Sequence, residues 1–257
     1  MTTAATRSRW TTIMELGART LLAGMIAGAI AGFLWGGIGG RIAMRIVFLT
    51  SNGSVAGLES DDGFTIGVFS SATVFLVAAT TVLGSGLGAM VAVLRTPLRT
   101  STAVAALVFA VASAAFFGSA IVHTDGIDFR FLDPLVLTVG LFVLLPAAWA
   151  ASTIFFIDRL LRPKGRISRL PKPFLVLVIT LAAIPLLAIG GSAIRELGII
   201  AVAIVLGIAA SGMAIVLRHS QLRSLAPTLA HWAVLAVLAA LGVFGVIGLA
   251  EDIAGLT

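Results

Sequence analysis

Arg41 and Arg45 stand four residues apart at the end of the apolar run GGRIAMR. On a helix that spacing leaves them about 40° apart on one face. Two guanidinium groups so placed can grip a phosphate or a carboxylate through forked hydrogen bonds. The acids that could answer them lie in two segments: Glu59, Asp61 and Asp62 in TSNGSVAGLESDDG, and Asp125, Asp128 and Asp133, with Arg130 among them, in HTDGIDFRFLDP. In one reading the acids pair with the arginines and lock loops over the end of a bundle. In the other, Arg41, Arg45 and Arg130 form an anion site for a lipid phosphate or a carboxylated solute.

Other chemistries find less support. The chain has no cysteine, which removes disulfides, thiolate metal ligands and a cysteine nucleophile. A haem or metal needs two ligands at similar depth. Of His123, His219 and His231 only the last two flank the same segment, so neither metal nor cofactor is expected. No GxSxG or HExxH occurs, and DGIDFRFLD lacks calcium-loop spacing and sets an arginine among its would-be ligands. No catalytic residue is assigned, and a non-enzymatic role is favoured.

The elements that position these residues are apolar. Of 257 residues 59% are hydrophobic and 11% charged, and mean hydropathy is +1.13. An ordinary soluble domain has about 25% charged residues, so the bilayer is the expected solvent. The hydrophobic runs predict an all-α, polytopic bundle in one domain, 13–252, with seven spans over about 13–49, 65–94, 102–122, 134–158, 173–190, 197–217 and 228–249. Residues 1–12 read as an inner tail and 253–257 as an outer one. Pro146 is expected to kink the fourth span. With the N-terminus inside and the C-terminus outside, the inner side carries thirteen cations and two anions, the outer side four cations and nine anions. This is the positive-inside pattern, so the net charge of +6 reports orientation and gives no support to nucleic-acid binding. No ionisable residue falls near the middle of a span, which argues against a proton-driven carrier. A channel or facilitative transporter for a small solute or lipid is the alternative to a binding, scaffold or accessory component.

Gly24, Gly28, Gly32, Gly36 and Gly40 recur at every fourth position before Arg41, a glycine-zipper row, with Gly37 one turn below Arg41 and a second small face at Gly84 and Gly88. Small residues at this spacing let two helices approach backbone to backbone. On an α-helix the row drifts about 40° per step, which predicts that two neighbours share it and that helix one is central. A face left unpaired within the chain could serve a homo-oligomer or another membrane protein; membrane lipids are the other expected partners.

GGRIAMRIV, DGFTIGVFSSATVFLV and DFRFLDPLVLTVGLFVLLP resemble a family of actinobacterial multi-pass membrane proteins with no assigned activity. The resemblance covers roughly the first 160 residues. It implies a bacterial plasma-membrane location and a shared outer rim of Arg41, Arg45, Asp128, Phe129, Arg130 and Pro134.

Overall fold

The computed structural model describes residues 2–51, 71–122, 133–162, 167, 171 and 226–256. Among them the regular structure is entirely helical, with five helices long and apolar enough to cross a membrane. The first is a rod in three parts: α1 (Thr2–Ala31), a π-helical segment (Gly32–Gly39) and α2 (Gly40–Thr50). Then come α3 (Ser71–Arg95), α4 (Thr102–Ile121), α5 (Leu135–Leu160) and α6 (Ala226–Leu256). The rod is helical from Thr2, well inside the segment expected as a tail, because nothing in TTAATRSRWTT breaks a helix. α6 likewise runs past the expected boundary at 249 to Leu256. The spans expected over 173–190 and 197–217 lie outside the described residues.

Contacts along the helices give their directions. Gly24 lies against Ala92, Gly36 against Thr80 and Arg41 against Thr73, so the rod and α3 are antiparallel. Thr102 meets Asp158 and Gly118 meets Val143, so α4 and α5 are antiparallel too. Arg99 beside His231, Ala115 beside Gly245 and Ser119 beside Gly248 make α4 and α6 parallel. One end of the bundle therefore gathers Glu15, Arg19, Arg95, Arg99, Asp158 and His231. The opposite end carries Arg41, Arg45, Asp133 and Asp252.

The rod and α3 come together through missing side chains. A Cβ on Gly28 would overlap the Gly84 carbonyl oxygen and stand 2.7 Å from the Gly88 Cα. One on Gly24 would overlap the Gly88 carbonyl, and one on Gly36 would stand 2.7 Å from the Thr80 Cβ. Gly37 leaves no open notch, since Val77 fills it at 3.2 Å. Gly40 has nothing within 4 Å of where a Cβ would be, because contact there has passed to the longer side chains of Arg41 and Thr73. Among the described helices α3 thus meets Gly24, Gly28, Gly32 and Gly36, where an unbroken α-helix was expected to divide the row between two neighbours. The wide turns of the π segment turn the later glycines back towards α3.

Among the described helices α5, not the rod, is the one most others touch: it contacts α1, the π segment, α2, α3 and α4. Its buried side carries Trp149, Ala150, Thr153, Ile154 and Ile157. The rod's far side, with Ile26, Ile30, Phe33, Leu34, Ile38 and Ile42, is exposed, as suits a helix bordered by acyl chains. Pro146 sits inside α5 without ending it, and its carbonyl accepts the Ser113 hydroxyl at 3.0 Å. Thr153 and Ser152 turn their hydroxyls to the Trp149 carbonyl of their own helix.

Candidate functional site

The end of the bundle that carries the arginine pair is built by α2, α3 and α5. α2 is amphipathic, and Gly40, Ala43 and Val47 form its buried side. Arg41 leaves the edge of that side towards α3, where its guanidinium donates to the Thr73 hydroxyl and lies 3.9 Å from the Met44 Sδ. Thr73 is itself buried, so Arg41 is held by a group that packing keeps in place. Arg45, one turn on, is exposed, and its guanidinium carbon lies 5.1 Å from the centre of the Phe48 ring, a cation–π distance. The two arginines therefore differ in mounting: one is anchored on a neighbouring helix and one is carried outward on its own.

α2 ends at a joint with α5. Ser51 Oγ accepts the Asp133 N–H at 3.0 Å and lies within donating distance of the Val47 and Asp133 carbonyls, at 2.8 and 3.0 Å. Asp133 thus enters the site through its backbone, and its residue is exposed. Pro134 caps α5 in extended conformation, and its carbonyl receives the N–H groups of Leu137 and Thr138. Asp61, Asp62, Asp125, Asp128 and Arg130 lie outside the described residues. Gly84, Gly88, Gly24, Gly28 and Gly32 lie deeper, where they bring α3 close enough for Thr73 to reach Arg41.

Polar groups that the sequence did not single out tie the rest together. Trp149 Nε1 donates to the Gly28 carbonyl at 3.3 Å, and Trp35 Nε1 donates to Ser152 Oγ at 3.1 Å. Both indoles fall within spans rather than near their ends, which is the signal that could have found them, since an N–H in hydrocarbon needs an acceptor. At the basic end Arg95 meets Asp158 at 2.9 Å and also donates to the carbonyls of Leu98 and Thr100. Asp158 accepts from Thr102 at 2.7 Å as well, so one carboxylate joins the α3–α4 turn to the end of α5. Ser101 caps α4 by accepting the Val104 N–H at 3.3 Å. Arg19 bonds Glu15 one turn below and the Ile167 carbonyl, while Ile167 packs on Ala18, Leu22 and Ala23. Among the described residues no three metal-ligating side chains converge.

A cavity of about 90 Å³ lies deeper in the bundle, bordered by Leu87 and Val91 of α3, Phe109 and Phe117 of α4, Trp149 of α5 and Leu238 of α6. Its lining is almost wholly apolar. No protein-family model, curated protein or solved structure matches this chain.

Proposed function

We propose that this is a non-enzymatic, seven-span component of a bacterial plasma membrane. Its outer end holds an anionic lipid headgroup or a carboxylated solute through Arg41, Arg45 and Arg130. The carboxylates of Asp61, Asp62, Asp125, Asp128 and Asp133 complete the rim as ion-pair partners. The observation that carries this reading is the mounting of the arginine pair: Arg41 is anchored on buried Thr73, and Arg45 is exposed one turn further out. A fixed cation beside an exposed one is a fitting arrangement for a group that arrives from the lipid or the solvent.

The seven-span topology draws support from the ends of the described helices. α5 finishes and α6 starts at the same end of the bundle, an arrangement that accommodates an even number of spans between them. The two apolar runs at 173–190 and 197–217 supply that number. The basic end is then cytoplasmic. A conducting role draws no support from the cavity among α3, α4, α5 and α6, whose lining offers almost nothing polar to a solute.

Native mass spectrometry of the purified protein tests the binding role. The wild-type chain is expected to carry anionic lipid, and Arg41→Gln with Arg45→Gln to lose it at unchanged thermal stability. Collapse of the double variant with no change in bound lipid would make the arginines an ion-pair lock instead. Solute flux in proteoliposomes would favour the transporter.

A further inference from the structure

A four-residue repeat does not belong to an α-helix, where each step overshoots a full turn by about 40°. A π turn holds roughly 4.4 residues, so the same step falls short by about 30°. A rod that is α up to Ala31 and π from Gly32 to Gly39 sets one drift against the other. Gly28, Gly32 and Gly36 accordingly all face α3, against Gly84 and Thr80. The Gly40 N–H reaching back to the Trp35 carbonyl marks the wide turn directly. In unbroken α geometry, counted from Gly28 at about 100° per residue, the positions facing α3 would be Trp35, Gly39 and Ile42. In the structure Trp35 and Ile42 are 38% and 55% exposed, and Arg41 meets Thr73.

Two hydrogen bonds tie the segment and the turn before it to α5. The Trp149 N–H is donated to Gly28, whose carbonyl belongs to the turn that leads into the π segment, and Trp35 inside the segment is bonded to Ser152. Eight residues in π geometry turn about 145° less than eight in α geometry, which amounts to between one and two α residues.

We propose that Gly32–Gly39 stores at least one surplus residue, and that its absorption in the wide turns keeps α2 in the angular phase that places Arg41 against Thr73. Deleting one residue from the segment then returns it towards α geometry and leaves the flanking helices in nearly their original phase. The same deletion in α3, which has no wide turn to absorb it, rotates Thr73 by about 100°. This inference concerns geometry and stands whether or not the arginines bind an anion.

Because the chain has no cysteine, engineered pairs report cleanly. Arg41→Cys with Thr73→Cys, bridged by a short bis-methanethiosulfonate because a cysteine is shorter than the arginine it replaces, reads the phase, and Gly118→Cys with Val143→Cys, between α4 and α5, reads the fold. Deletion of Ile38 is expected to leave the first cross-link within about twofold of its rate in the full-length chain, since the wide turn takes up the change. Deletion of Val82 in α3 is expected to abolish it. The proposal is overturned if deletion of Ile38 abolishes the first cross-link while the second still forms. It is equally overturned if that deletion prevents folding, because a surplus residue is dispensable. Persistence of the first cross-link after deletion of Val82 would also overturn it.

Discussion

At Gly28 the atom a mutation would add has nowhere to go, because its nearest neighbour is the backbone of Gly84, which cannot rotate aside as a side chain can. Gly28→Ala is expected to cost about 1–3 kcal/mol, the usual range for overpacking, as α1 and α3 are forced apart. Gly40→Ala is the matched control: with nothing within 4 Å it should be neutral, or gain up to about 1 kcal/mol from helix propensity. Thermal unfolding in detergent distinguishes the two, and equal effects would refute the close contact. At the opposite end Asp158→Asn removes the charge that Arg95 faces, with side chains 14% and 25% exposed for Arg95 and Asp158. A loss of about 1–2 kcal/mol is expected, more than exposed pairs give and less than a fully buried one. The spacing of Glu15 and Arg19 announces their pairing locally. Arg95 and Asp158 are 63 residues apart, and the only hint is an acid at a mostly basic end.

The elements owe their placing to a few polar bonds set among apolar contacts. Trp149→Phe removes the donor to the Gly28 carbonyl, and Trp35→Phe the donor to Ser152. Interhelical hydrogen bonds within membranes contribute about 0.6 kcal/mol on average, so each variant should lose roughly that much. The buried Trp149 should lose more than Trp35. α4 and α6 meet as α1 and α3 do, with a Cβ on Gly245 overlapping the Ala115 backbone and open space at Gly242. Gly245→Ala should therefore destabilise α6 where Gly242→Ala does not, as read by protease sensitivity of its carboxyl-terminal end. GVFGVIG carries this signal at a three-residue spacing, in place of the four-residue spacing of the rod. The π segment was hidden for a different reason. A four-residue repeat drifts on an α-helix, but it lies between the α and π periods, and nothing in the residue types says where one gives way to the other.

For the whole molecule, the five described membrane-length helices were legible because hydropathy and length suffice to mark them. Their neighbours were not. A glycine row says that some backbone comes near without saying which, and the central place among the described helices falls to α5, whose Trp149 and Ile154 gave no periodic sign of it. The arginine pair was visible from spacing and from its position against the charge trend, while Thr73 and Ser51, which build its surroundings, look like any other hydroxyls in a sequence. The role proposed for the arginine pair requires the two ends of the bundle to face opposite sides of one membrane, with Arg41 and Arg45 at the non-cytoplasmic side. The most direct measurement is labelling of single cysteines in intact cells by a membrane-impermeant maleimide. Arg45→Cys is expected to react from outside and Arg99→Cys only after permeabilisation, both residues being exposed. Labelling of Arg99→Cys from outside with Arg45→Cys protected, or of both from one side, would contradict it.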